Sequence, residues 1–341
     1  MGQMSNAAEY AHTFSEGRMK INAVVLAVAV FGFSSGASAQ AYPTKPVTLI
    51  VPFAAGGPTD TVARTVAAIM SKSLGQTVVV ENAGGAGGNI GNEKVAKSAP
   101  DGYTLLLMHI GISTSASLYR NLRYSAVNDL EPIGLVTTVP MTMIGNKDFP
   151  PNNIKELILY VKANKNKVSY ANAGVGAASH LCGMLFMSAI ETDVLTVPYK
   201  GTAPAMTDLL GGQVNFMCDQ TTNTTSQIKA GKVKVYGVTS KTRVASLPDV
   251  PTMSEAGFKG FEVGIWHGMW APKGTPKPII NKLNAALNDA LNDEDLKKKF
   301  ADLGTAPEPV ERRKPDVLRA FLPAEIAKWG PIIKKAGVYA D

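Results

Sequence analysis

Three turns rich in small residues hold most of the chemistry this chain could perform. The first, Pro52-Phe53-Ala54-Ala55-Gly56-Gly57-Pro58-Thr59-Asp60, joins an apolar run to a helical pattern. Small side chains let a ligand approach the backbone, and the start of the next helix offers unpaired N–H donors with a partial positive charge. Such a turn holds a carboxylate without arginine or lysine; it is equally readable as a strand-to-helix turn with Thr59 or Asp60 as N-cap. The second turn, Asn172-Ala173-Gly174-Val175-Gly176-Ala177-Ala178-Ser179-His180, has the equivalent place in a second unit. Its Gly-x-Gly is not completed as a dinucleotide fingerprint, because Asp193 follows too soon for the ribose acid expected about 20 residues on. The third, residues 198–205, sets Tyr199, Lys200 and Thr202 before another helix. A lone lysine reads first as solvated. Two similar turns, one per unit, suit a ligand clamped between them.

Few other residues have catalytic character. Beyond the N-terminal leader the histidines are His109, His180 and His267. His109 ends an apolar strand, where a ligand contact and a satisfied structural histidine both remain open. His180 stands in the first turn of a helix and reads as structural, its ring bonded to nearby backbone. Asp219-Gln220 ends another strand and either meets a ligand amine or hydroxyl or caps the next helix. Trp266 and Trp270 read as core or hinge packing, with stacking on a ligand as the alternative. No His-Glu-x-x-His, Cys-x-x-Cys or Gly-x-Ser-x-Gly occurs beyond the leader, so metal hydrolysis and the serine elbow lack their marks. The glycine loop at 84–88 lacks the Gly-Lys-Ser/Thr of a P-loop. Neither a cofactor nor a metal is expected.

The elements that must position these turns are strand-length apolar runs alternating with helical patterns. Runs at 47–51, 78–80 and 104–108 enclose helices at about 60–74 and 90–98, and the pattern restarts with runs at 168–171, 194–197 and 214–218. Two β-α-β-α-β units predict two doubly wound, mainly parallel α/β lobes, with ligands at the carboxyl ends of the strands. A strand-like 264–270 and three helices at about 277–291, 293–303 and 314–336 complete the chain. Its 341 residues suit two domains, and 45% hydrophobic against 18% charged residues excludes a disordered chain. Two cysteines cannot staple a chain this long; Cys182 and Cys218 are either bridged or buried free thiols. The net charge of +7 is scattered, which fits a small anion and gives no stripe for nucleic acid.

Arg18-Met19-Lys20, an apolar run at 21–33 and Ala37-Ser38-Ala39 have the form of an export signal. The run is short against the roughly 20 residues of a membrane span, which disfavours an uncleaved anchor. Residues 1–39 are therefore expected as a signal peptide cleaved near Ala39, with Met19 as an alternative start, and the mature chain is expected in the periplasm.

Tyr42-Pro43-Thr44-Lys45-Pro46-Val47 leading into Val51-Pro52-Phe53 and the first turn resembles the opening of the periplasmic solute receptors of tripartite tricarboxylate transporters, the Bug family. The resemblance continues through Val80-Glu81-Asn82, Ala99-Pro100-Asp101-Gly102-Tyr103, Val197-Pro198-Tyr199-Lys200-Gly201, Leu247-Pro248-Asp249-Val250-Pro251-Thr252 and Ala271-Pro272-Lys273-Gly274-Thr275-Pro276, and covers essentially the whole mature chain. It implies a type II periplasmic binding protein, a Venus flytrap with a ligand cleft between its lobes. Lobe 1 would comprise 42–143 plus 266–341 and lobe 2 144–265. One ligand carboxylate would be gripped by Ala55, Gly56, Gly57, Thr59 and Asp60 on one side and by Ala173, Gly174, Gly176 and Ser179 on the other. His109 and Asp219 would form the variable far side, with Phe53 and Tyr199 completing the set. The resemblance implies a monomer that captures a di- or tricarboxylate, or an aromatic carboxylate, and delivers it to inner-membrane permease subunits. A sensor subunit serving a signalling partner is the alternative, and a secreted α/β enzyme with His109 or His180 as base a weaker one.

Overall fold

Val47-Thr48-Leu49-Ile50-Val51 and Thr104-Leu105-Leu106-Leu107-Met108-His109 are nearly continuous apolar runs, as parallel strands covered on both faces must be. They form β1 (Val47–Val51) and β3 (Thr104–His109), with β2 (Val78–Asn82) on the outer side of β1. All three are parallel. The structure, a computed structural model, describes residues 42–337, 339 and 340. The signal segment, its cleavage point and the alternative start at Met19 lie outside the described residues.

Helix α1 (Pro58–Leu74) starts as its sequence requires. Gly57 is the N-cap, Pro58 takes the first position, where its missing N–H costs nothing, and Gly75 closes the other end in the left-handed conformation. Helices α2 (Asn89–Ala96) and α3 (Gly111–Leu118) follow β2 and β3. The second unit runs β4 (Leu130–Asn146), α4 (Ile154–Ala163), β5 (Ser169–Asn172), α5 (Ala178–Ala189), β6 (Leu195–Pro198), α6 (Thr202–Leu210), β7 (Phe216–Gln220), α7 (Thr221–Lys229) and β8 (Val233–Val238). The chain then returns through β9 (Gly264–Pro272), α8 (Lys277–Asn292), α9 (Glu294–Asp302), β10 (Ala306–Pro307) and α10 (Pro315–Ala336).

The strands run in the order β2-β1-β3-β9-β4-β7-β5-β6, with β8 and β10 also paired to β4. The fold is thus the expected pair of α/β lobes. The sheets are parallel only in their outer parts, β2-β1-β3 and β6-β5-β7, because antiparallel β9 and β4 lie between them. The 17-residue β4 was not legible from sequence. It lacks clean alternation and contains Pro132 and Pro140, which argue against a long central strand. Pro140 falls at the place where a proline does least harm. It is the last β4 residue to pair with β9, opposite Gly264, and Met141 is the first to pair with β7, opposite Gln220. With no N–H to donate, Pro140 marks the change of partners.

Candidate functional site

The carboxyl ends of β1, β3, β5 and β7 converge on one cavity. Phe53, Pro58 and Thr59 line it from the first turn and the start of α1; His109 lines it from the end of β3. Ala173, Ala178 and Ser179 come from the turn between β5 and α5, Thr202 from the start of α6, and Asp219 and Gln220 from the end of β7. The cavity walls lie close together and leave room for about one water molecule.

Four helices begin at this wall. Pro58 and Thr59 open α1, Ala178 and Ser179 open α5, Thr202 opens α6, and Gln220 is the N-cap of α7. First-turn N–H groups have no carbonyl four residues back, and each helix start carries roughly half a positive charge. The cavity wall therefore carries backbone donors of the kind that suit an anion. Among the described residues that line it there is no lysine or arginine.

His109 adds a side-chain donor. Its ring stacks on Phe53 with centroids 4.8 Å apart and meets His267 edge-on at 5.8 Å. The Gly111 N–H donates to His109 Nδ1 at 3.0 Å, so the proton of the neutral ring sits on Nε2. Burial pushes its pKa down to about 3, and the imidazole stays neutral. Thr59 Oγ1 lies 3.5 Å from His267 Nε2, which places His267 behind the cavity wall. Ser179 Oγ accepts the Ala173 N–H at 2.8 Å and keeps its own hydrogen to donate.

Asp219 has the opposite character. It is 1% exposed, and its Oδ2 accepts from Asn223 Nδ2 at 2.6 Å. Burial raises its pKa to about 7 against the pull of that hydrogen bond.

Six of the sequence-predicted residues thus share the cavity: Phe53, Thr59, His109, Ala173, Ser179 and Asp219. The others do not line it. Ala55 and Gly56 are exposed, and the Gly56 N–H donates to Asp60 Oδ2 at 2.9 Å. Burial pushes the Asp60 carboxyl up, but Arg64, that N–H and Asn82 outweigh it and hold it below the usual range. Gly57 is buried beside Thr202. The Gly174 N–H donates to Asn172 Oδ1 at 2.9 Å, and the Gly176 N–H to His180 Nδ1 at 3.4 Å, so His180 has the structural role its position suggested. Tyr199 donates its hydroxyl to Asp208 at 2.7 Å. The Lys200 side chain is exposed, while its carbonyl accepts the Ala54 N–H at 3.1 Å.

Thr202 and Gln220, read from sequence as turn and strand-end candidates, also reach the cavity, and so do Pro58 and Ala178, which were not singled out. All four stand in or beside the quoted turns, but helix phase decides which of them face inward. His267 had no local signal. It meets His109 only because β3 and β9 pair in a register that sets the two opposite each other. Neither tryptophan lines the cavity: Trp266 Nε1 donates to Glu325 at 2.9 Å, Trp270 is fully buried, and stacking on a ligand is replaced by packing against α10 and the sheet. Cys182 and Cys218 form a disulfide, with Cα atoms 6.1 Å apart, that ties α5 to β7 beside Asp219.

Residues 62–338 match the model of the tripartite tricarboxylate transporter family receptor, TctC. The chain belongs to the TctC receptor family. Among solved structures, this TctC receptor is similar to the periplasmic binding protein BugD, at 58% identity and a TM-score of 0.85 over 87% of this chain and 99% of that one. It is also similar to MatC from Rhodopseudomonas palustris with bound malate, at 41% identity and TM-score 0.83 over 86% of this chain and 100% of that one. An R. palustris structure with adipate matches at 33% identity and TM-score 0.83, over 87% of this chain and 99% of that one. The receptor is a solute-binding protein and not an enzyme, which removes the reading of His109 or His180 as a catalytic base. No helix among the described residues is long and apolar enough to cross a membrane.

Proposed function

We propose that this receptor works in the periplasm, encloses a small carboxylic acid between its two lobes, and delivers it to the permease subunits of a tripartite tricarboxylate transporter. The observation that carries the proposal is the convergence of four helix N-termini on one cavity without a lysine or arginine. Backbone N–H groups at helix starts hold carboxylates well. Malate in MatC and adipate in the second R. palustris protein supply the solute class. The His109 Nε2–H and the hydroxyls of Thr59, Ser179 and Thr202 are further donors for ligand oxygens.

The cavity leaves room for about one water, so a dicarboxylate enters and seats only if the walls part. We place the hinge at the change of partners in β4 and at the start of β9, with lobe 1 as 42–143 plus 266–341 and lobe 2 as 144–265. The Ala54–Lys200 backbone bond, the Thr114 hydroxyl donated to the Gly176 carbonyl at 2.9 Å and the Tyr119 hydroxyl donated to the Val175 carbonyl at 2.8 Å join the two sides in the closed form. Ligand contacts to both sides then favour closure.

A thermal-shift screen of the mature, refolded protein against carboxylic acids tests the reading, with sugars and nucleotides as controls. A ligand at 100 times its Kd adds about 2.7 kcal/mol of stability, a shift of several degrees. Stabilisation by carboxylates alone supports the proposal. Stabilisation by sugars or nucleotides with no response to any acid overturns it.

A further inference from the structure

We propose that Asp219 makes the receptor selective for carboxylates whose carbon chain carries a hydrogen-bond donor, a hydroxyl or an ammonium group. The inference rests on reading the cavity as a carboxylate site and adds to it the chemistry of the ligand's other end.

The walls divide by polarity. The starts of α1, α5 and α6, the His109 Nε2–H and the hydroxyls of Ser179 and Thr202 all present donors. The end of β7, although α7 starts beside it, presents side-chain acceptors. Asp219 is a buried carboxyl group on the cavity wall, and its neighbour Gln220, also 1% exposed, has an Oε1 with no hydrogen-bond partner among the described residues. Around Asp219, α7 contributes the neutral Asn223 and, at its N-cap, the Gln220 backbone N–H, both bonded to the carboxyl, and β4 the Thr142 hydroxyl, which donates to the Asp219 backbone carbonyl at 3.2 Å. From β5 the Tyr170 phenol approaches, but it donates to the Ser179 carbonyl at 2.5 Å. From β3 comes the neutral ring of His109. No cation faces Asp219 from these elements.

A ligand carboxylate drawn in by the helix starts therefore shares a desolvated cavity with a second carboxyl group. Two negative charges there repel strongly unless a proton or cation lies between them. An ammonium group on the ligand supplies the cation, and a hydroxyl supplies a donor to the Asp219 oxygen. A bare methylene supplies neither, so Asp219 must then take a proton from solvent. Its raised pKa, about 7, makes that proton available in mild acid and progressively scarcer in alkali.

Isothermal titration of the mature receptor with succinate, malate and aspartate, and with the five-carbon set glutarate, 2-hydroxyglutarate and glutamate, separates these cases. At pH 8 the best donor-bearing acid is expected to bind about tenfold or more tightly than its plain counterpart, the worth of one hydrogen bond to a charged group. At pH 5.5 the gap narrows, and plain acids bind with net proton uptake, measured by repeating the titration in buffers of different ionisation enthalpy. In Asp219→Asn the gap falls severalfold and the proton uptake disappears. Equal binding of plain and donor-bearing acids by the unaltered receptor at pH 8 overturns the inference, and so does a preference that survives intact in Asp219→Asn. If no acid of either set binds, the carboxylate-receptor reading itself falls.

Discussion

Three histidines are buried, and that sets how this receptor responds to acid. Burial lowers the pKa of His109 to about 3 and of His180 to about 4; burial, then the neighbouring His109, takes His267 well below 6.5. Each is neutral in the folded protein and charged in the unfolded chain below 6.5. Their contribution is complete above that pH and is lost as the pH falls toward the folded values. Asp219 runs the other way, since it keeps its proton up to about 7 when folded against 3.8 ordinarily. Its contribution is present in acid and declines as the pH rises from 3.8 to 7. Three groups outweigh one, so urea midpoints of the ligand-free protein are expected to fall between about pH 6.5 and pH 4.5. Asp219→Asn removes the opposing contribution and should make that fall steeper. A flat profile would show that the histidines are protonated in the folded state.

At the scale of elements, the lower wall of the cavity depends on how α5 is fastened to β7. The Cys182–Cys218 disulfide closes a 36-residue separation, and Tyr170 bridges the same pair of elements by donating to the Ser179 carbonyl and accepting the Cys218 N–H at 3.2 Å. Replacing both cysteines with serine is expected to cost about 2–4 kcal/mol, read as a lower thermal midpoint that dithiothreitol no longer changes. The unaltered protein should lose a comparable amount on reduction. Tyr170→Phe removes a buried hydroxyl with two partners and should cost about 1–3 kcal/mol in denaturant titration. Much of this level was readable in advance, because the strand runs, the helix starts and the three turns are local patterns. The disulfide was not, since two cysteines on a helix and a strand bond only if packing brings their Cα atoms near.

For the whole molecule, the relevant quantity is the balance between open and closed forms. Gly87, in the glycine loop after β2, lies against the turn after β5; a Cβ there would sit 1.9 Å from the Val175 carbonyl oxygen, and its φ of +61° is left-handed. Gly87→Ala is expected to hold the two sides apart and weaken carboxylate affinity about 5- to 150-fold, the equivalent of 1–3 kcal/mol of strain and overlap. Small-angle X-ray scattering with saturating ligand should then show less contraction than in the unaltered receptor. Unchanged affinity and contraction would mean that this contact plays no part in closure.

Sequence alone determined the parts whose cause is local: apolar runs that must be buried strands, small-residue turns that leave helix starts open, and the lack of lysine and arginine in the first two turns. Strand-end position singled out His109 and Asp219, and the family resemblance added Thr59 and Ser179. The tertiary structure decided what depends on partners far along the chain. The register of β3 on β9 set His109 against His267, and β4 changed partners at Pro140 to carry both sheets. The same packing brought Asn82 to Asp60, which its own helix already pairs with Arg64, and set Asp219 on the cavity wall with no lysine or arginine among the residues lining it. The two carboxylates look alike in sequence, and only the groups packed around each gave them opposite pKa shifts.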